Sequence, residues 1–361
     1  MSQPGSIARR ALVGVVFGIA VYSGMVFWRG WEPLVDALRD FPLWVLPAAC
    51  ALSFGNYALR FIKWQRYLQL LDVRISTGLS WQIYLAGFSM GVTPGKMGEV
   101  LKSWLLRKAV GTPVHHTAPI VVAERFTDLT GYLLLIAVGG IVSQPDYIPV
   151  FGATAVLCLV GMGLAGSRSF ARLSQKLVAR TPYFWRLAPK VEGSFRSVRM
   201  LLRPREVVFP TLLSMVSWGL ECAGFWLIVN GISAHPVPFL FCVFAYALSA
   251  VAGALAIIVP GGLGVTEGLL GTLTRRELER PLVAQLGATA AMETARSQAT
   301  AAVILGRLAT LWFGVLVGFV ALGSLKRRFG RIDFDDQGTA PTAAANPTVQ
   351  GDHEASPTDA G

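Results

Sequence analysis

The chain is 361 residues long, 53% hydrophobic and only 15% charged, with a mean hydropathy of +0.53. That balance excludes an ordinary soluble domain and predicts an all-α polytopic membrane protein, in which helices satisfy the backbone polar groups that lipid cannot. The formal net charge of +11 does not point to nucleic acid, because the basic residues sit in short loops beside apolar runs, where the positive-inside bias puts them. Cys50, Cys158, Cys222 and Cys242 fall inside apolar runs without C-x-x-C spacing, and His115-His116, His235 and His353 have no third ligand nearby. No disulfide, metal site or cofactor is therefore expected.

In chain order, Arg9-Arg10 precede an apolar run from Ala11 to about Trp31 that is too long and glycine-rich for a cleaved signal. It reads as a first span starting in the cytoplasm. A second span runs from Pro42 to about Ile62, with Arg60, Lys63, Trp64 and Arg66 marking its cytoplasmic exit. The next apolar segment, Leu79 to Thr93, is about 15 residues, short for a crossing of roughly 30 Å at about 1.5 Å per residue. If it crossed, Lys102, Arg107 and Lys108 would fall outside, so a re-entrant hairpin is predicted. Thr117 to Val142 then spans outward and Ile148 to Gly166 returns.

The stretch from Ser167 to Glu206 carries ten Lys or Arg residues against Glu192 and Glu206, and is predicted to be cytoplasmic. Val191, Phe195, Val198 and Leu202 recur in it at helical spacing, which leaves open a helix on an anionic leaflet or a solvated basic loop. Val207 to Gly231 crosses outward, Phe239 to Val259 enters a second hairpin, and Ala299 to Gly323 crosses back to Lys326-Arg327-Arg328. This gives about six full spans and two re-entrant hairpins in two inverted repeats, with eight full spans as the alternative. The transmembrane domain covers 1–331, with repeat one at about 42–166, a basic connector at 167–206 and repeat two at about 207–325. Residues 332–361 lack apolar periodicity and read as a disordered cytoplasmic tail.

The repeats rest on a phrase that occurs twice inside apolar sequence: Pro94-Gly95-Lys96-Met97-Gly98-Glu99, then Pro260-Gly261-Gly262-Leu263-Gly264-Val265-Thr266-Glu267. Pro and paired glycines break helices, and such breaks survive in lipid only where protein or a water-filled cavity surrounds them. One copy would fit a kinked packing helix; two at matching positions favour a transporter-like site between repeats. Each copy leads to an arginine in an apolar segment, Arg125 after 31 residues and Arg307 after 47, with an insertion around Gly287 to Gln298 in the second.

Charges within spans are costly and need a reason. On a helix Asp128 is placed to neutralise Arg125, with Glu124 on the same face as Asp128. Arg125 is then either a packing pair or a cavity-facing group whose planar fork suits phosphate oxygens. Arg307 has Gly306 and Thr310 in place of those carboxylates, so its partner is expected among Glu99, Glu267, Glu221 or a bound anion. Glu221, in mid-span, reads as a proton-coupling carboxylate or a helix–helix hydrogen-bonding group, and Lys96 as a cation at the first hairpin tip or one that reaches out to water.

R-F-I-K-W at 60–64, P-G-K-M-G-E at 94–99, A-E-R-F-T-D at 123–128 and P-G-G-L-G-V-T-E at 260–267, with a late Arg307, together resemble the lysylphosphatidylglycerol synthase transmembrane region family, the flippase-like membrane proteins. The resemblance covers about residues 10 to 325. It implies an integral inner-membrane protein of bacterial type with re-entrant hairpins that translocates lipids between leaflets. Both termini are placed in the cytoplasm. The aminoacyl-transferase domain that the synthases carry has no counterpart here, so lipid lysylation by this chain alone is not expected. The expected function is movement of an anionic or phosphate-bearing lipid without an enzymatic step. The translocation residues would be Lys96, Glu99, Glu124, Arg125, Asp128, Glu221, Glu267 and Arg307. Membrane lipids are the expected partners, with a lipid-modifying enzyme or a second copy of the chain also open. The competing class is a membrane-embedded glycosyl- or phospho-transferase acting on polyprenyl-phosphate, but the first hairpin fails the phosphate-loop pattern, since Met90 stands at its first glycine and Met97 follows Lys96. A scaffold for a lipid-modifying enzyme is a third reading.

Overall fold

The computed structural model describes residues 38–92, 97–143, 200–256 and 262–329, with a few isolated positions besides. The spans predicted at 11–31 and 148–166, most of the connector and the tail lie outside the described residues. What is described is all-helical, as an all-α polytopic membrane protein requires.

Nine principal helices follow in chain order among those residues: α1 (Val45–Leu70), α2 (Thr77–Ala86, continued by a 3-10 turn Gly87–Met90), α3 (Met97–Val110), α4 (Pro119–Ser143), α5 (Pro204–Ile232), α6 (Phe239–Leu255), α7 (Val265–Leu286), α8 (Ala288–Arg307) and α9 (Phe313–Phe329). A π-helical stretch, Leu308–Trp312, joins α8 to α9. Three runs are long and apolar enough to cross a membrane: α1, α5 from Arg205, and the continuous Ala288–Arg328. The predicted spans at 117–142 and 207–231 correspond closely to α4 and α5. The final span was placed too late at Ala299, because α8 begins at Ala288.

Both P-G-x-x-G phrases interrupt helices. The chain is helical to Met90 and again from Met97, and helical to Leu255 and again from Val265. Pro94, Gly95, Lys96, Pro260 and Gly261 lie outside the described residues, and of Gly98 and Glu99 only the helical backbone is described. Gly262 and Gly264 show why the second phrase is glycine-rich. Gly262 has φ +68, and a Cβ there would meet the Gly253 carbonyl oxygen at 2.8 Å, while Gly264 has φ +88 as the N-cap of α7. Only glycine fits both a positive φ and that close approach. The insertion predicted near Gly287 lengthens both arms of a helical hairpin. α7 has 22 residues against 14 in α3, about 12 Å longer at 1.5 Å per residue, and most of the remaining extra length extends α8.

The two halves exchange partners. α1 packs along α5; α4 packs on α6, the entering arm of the second hairpin, while α9 packs on α2 and its 3-10 turn, the entering arm of the first. Small residues make these crossings close. A Cβ on Gly139 would meet the Leu240 carbonyl oxygen at 2.6 Å, and one on Gly318 would overlap the Ser89 backbone nitrogen.

Among the described residues the apolar core forms two large layers and a small third cluster of Val92, Leu263 and Val315. One gathers Val45 and Ala49 of α1 and Tyr132 to Ile136 of α4 with α5 to α8. The other gathers Trp64 to Leu71 of α1, Ile120 and Ala123 of α4, α2, α3 and the end of α9. Helices α1 and α4 run through both, and between the layers they carry Ser53 to Lys63 and Glu124 to Asp128. The described end of the connector joins the second layer through fully buried Leu201, with Val198 buried beside it, so there the apolar face predicted for a leaflet packs on protein.

Candidate functional site

Helix α1 does not end at Ile62. It continues to Leu70, and Ser53, Asn56, Arg60, Lys63 and Tyr67, spaced by three and four, form one buried stripe. Arg60, Lys63 and Trp64, predicted to mark a cytoplasmic exit, are thus interior residues; Arg66 is the one that reaches the surface, pairing with Glu206 at 2.9 Å. Lys63 is 0% exposed and donates to Asp128 Oδ1 at 2.5 Å, Ser214 Oγ at 2.7 Å and Thr127 Oγ1 at 3.3 Å. Arg60 reaches the other Asp128 oxygen at 3.2 Å, and Ser214 donates to Oδ1 at 3.0 Å. Asp128, 3% exposed, is therefore the acceptor at which α1, α4 and α5 meet. Among the described residues its two ion pairs go to Arg60 and Lys63 of α1, partners that the sequence reading, which set Asp128 beside Arg125, did not include.

Two further ion pairs tie each hairpin's second arm to the following helix. In the first half Lys102 of α3 donates to Glu124 of α4 at 2.6 Å, and its ammonium lies 4.6 Å from the Trp64 ring centre. In the second half Arg307 of α8 donates through Nε to Glu267 of α7 at 2.6 Å. Of the partners open for Arg307, the structure selects Glu267. The other oxygen of Glu267 accepts the Gly264 N–H at 2.6 Å, so this carboxylate also caps the start of α7. The Tyr57 hydroxyl donates to the Thr310 carbonyl at 2.8 Å inside the π stretch, joining α1 to the turn after Arg307.

These groups surround a cavity of about 250 Å³ between the halves. Its cationic wall is Arg60, Lys102, Arg125 and Arg307; Glu221, which accepts the Tyr246 hydroxyl at 2.7 Å, is the carboxylate that lines it among the described residues. Tyr57, Tyr84, Tyr132 and Trp218 supply aromatic faces, with the Arg60 guanidinium 4.6 Å from the Trp218 ring centre and Trp218 stacked on Tyr132 at 4.7 Å. Among the described residues, the cations Arg60, Lys63, Lys102, Arg125 and Arg307 stand in or behind this wall with the carboxylates Glu124, Asp128, Glu221 and Glu267.

Of the residues predicted for this site, Glu124, Arg125, Asp128, Glu221, Glu267 and Arg307 are gathered in or directly behind the cavity wall. Lys96 and the Glu99 side chain lie outside the described residues. Sequence reasoning passed over Arg60, Lys63 and Lys102 as site residues. The signal that finds the first two is the polar stripe from Ser53 to Tyr67, which continues at helical spacing past the supposed span end.

Apolar helices arranged in two layers around a buried, ion-paired and cation-rich cavity define a polytopic integral membrane protein. The chain belongs to the lysylphosphatidylglycerol synthase TM region family, whose sequence pattern matches residues 15–276. That family is one of integral membrane proteins with a membrane-lipid-related role. The match ends within α7, before the Arg307 ion pair. The chain is also similar to a UPF0104 membrane protein of Methanothermobacter thermautotrophicus, 23% identical over 344 residues that cover 87% of this chain and 93% of the relative. A UPF0104 membrane protein of Pyrococcus horikoshii is 18% identical over 341 residues, covering 87% and 96%.

Proposed function

We propose that the protein is a lipid translocase that passes an anionic, phosphate-bearing headgroup through the cavity between its halves while the acyl or prenyl tails stay in lipid. The observation that carries this reading is the cavity wall: four cations, Arg60, Lys102, Arg125 and Arg307, against the single carboxylate Glu221 among the described residues. Guanidinium forks bind phosphate oxygens bidentately, and in a water-poor site that attraction is strong. Supporting it are the two broken segments. Arms α2 and α3 contact each other, and α3 with 14 residues is about 21 Å long, short of a roughly 30 Å crossing. In this reading both breaks are re-entrant hairpins of an inverted repeat that open the cavity alternately to the two leaflets.

The protein so read resides in a bacterial-type inner membrane with both termini cytoplasmic, and acts as a carrier without an enzymatic step. Its test is transfer of fluorescent lipids of several headgroups in proteoliposomes, followed by dithionite quenching. Wild type should exchange phosphate-bearing anionic lipids faster than protein-free vesicles, and Arg125→Gln should abolish that exchange while still inserting. Exchange by Arg125→Gln at the wild-type rate removes Arg125 from the mechanism; absence of exchange by wild type for every anionic headgroup rejects the translocase reading.

A further inference from the structure

The cations alone do not say where in the cavity a phosphate would sit. The unused hydrogen-bond donors do. Tyr84 is 1% exposed and its ring lines the cavity, yet its hydroxyl bonds to none of the described residues. The same holds for the indole Nε1–H of Trp218 and for the Nε–H of Arg60, both on cavity-lining residues and both shielded from solvent at the atom itself. A buried donor without an acceptor is unfavourable, so three on one cavity wall need an explanation. They belong to three helices, α2, α5 and α1, yet Arg60 lies over Trp218 at 4.6 Å and Lys102 lies 5.2 Å from the Tyr84 ring centre.

What is missing there is an acceptor, and one with several oxygens. Arg60 spends its terminal nitrogen on Asp128, which holds the guanidinium in place and leaves the Nε edge over. Lys102 is likewise fixed by Glu124. The positive charge there is thus pre-positioned by carboxylates. We infer that Arg60, Tyr84 and Trp218 form an oxyanion subsite that takes the oxygens of one phosphate group, with Lys102 supplying charge behind Tyr84. Assigning the oxyanion to phosphate rests on the translocase reading above. Arg60 and Tyr84 come from the first half and Trp218 from α5 of the second. Arg307 has Nε engaged by Glu267, and the Tyr246 hydroxyl is committed to Glu221. A phosphate entering the cavity is held at Arg60, Tyr84 and Trp218.

Because these donors bond none of the described residues, the variants that delete them are mild. Tyr84→Phe keeps the ring beneath Lys102, and Trp218→Phe keeps an aromatic face for Arg60 and Tyr132. Neither should lower the melting temperature of the detergent-purified full chain. The experiment is isothermal titration calorimetry of wild type and both variants with inorganic phosphate and with short-chain phosphatidylglycerol, alongside thermal unfolding. Wild type should bind, and each variant should bind both probes about tenfold more weakly, the size expected for one hydrogen bond to a charged group, with its melting temperature unchanged. Variants that bind as wild type does, or that melt lower because the donors serve the fold, overturn the subsite. So does a wild type that binds neither probe. If wild type binds phosphatidylglycerol well above inorganic phosphate and the variants lose that, a lipid headgroup is the occupant. If both probes bind equally and the variants lose both, the subsite stands with free phosphate as its occupant, and the lipid reading fails on its own.

Discussion

In the two halves the second arm of each hairpin is tied to the next helix by one buried ion pair, but with the charges reversed. In the first half the hairpin carries the cation, Lys102, and the following helix the carboxylate, Glu124; in the second the hairpin carries the carboxylate, Glu267, and the helix the cation, Arg307. The two latches share a place and a distance of 2.6 Å, not the sign of either member. The sequence pairs Arg125 with Arg307 as equivalent arginines; among the described ion pairs Arg307 is a latch cation in the second half and Lys102 in the first. The halves also differ in what surrounds the latch. The first has the three-helix node at Asp128; the second has Thr310 there, whose hydroxyl merely donates back to the Gly306 carbonyl at 2.8 Å, and a π stretch held by Tyr57.

The largest effect that would break this comparison is at the node. Asp128→Ala leaves Arg60 and Lys63 buried without their carboxylate, and loss of one partner of a buried pair costs about 3–5 kcal/mol. Thermal unfolding in detergent should show a large drop or failure to recover folded protein, whereas Thr310→Val at the corresponding place should cost under about 1 kcal/mol, since the helix satisfies its carbonyl regardless. Equal losses would mean that the node does not distinguish the halves.

Charge reversal at the latches sharpens the comparison. The double variant Lys102→Glu with Glu124→Lys should recover most of what either single variant loses. Glu267→Lys with Arg307→Glu should stay about 1–2 kcal/mol below wild type even as a double, because it also strips the cap from the Gly264 N–H and puts a cation at a helix N-terminus. Full recovery in the second half would show that the cap contributes nothing.

The smallest effects concern the crossings. Gly139→Ala and Gly318→Ala each force backbone apart across α4–α6 and α9–α2, an overpacking expected to cost about 1–3 kcal/mol. Gly219→Ala, in a helix with no atom within 4 Å of the added carbon, should instead be neutral or gain up to about 1 kcal/mol. A loss at Gly219 as large as at Gly318 would sink the view that backbone proximity is what selects glycine.

Much of the candidate site was legible in the sequence for a simple reason: charge inside an apolar run is costly, so Glu124, Arg125, Asp128, Glu221 and Arg307 stood out. Arg60, Lys63 and Lys102 did not, because a basic residue near the end of an apolar run has the same sequence signature whether it snorkels to water or turns inward. Only the length of α1, eight residues beyond the expected end at Ile62, and the turn of its polar stripe toward α4 and α5 separate the two cases.

The sequence by itself determined the helical class and the broken segments, since hydropathy, helix-breaking residues and intramembrane charge all act within a few turns of chain. The tertiary structure decided which charges meet. Lys63 finds Asp128 across 65 residues and Ser214 across 151, and Arg307 finds Glu267 across 40. Periodicity within one helix says which face a charge occupies, but its partner is set by how the helices cross, and those crossings depend on side-chain packing between distant segments.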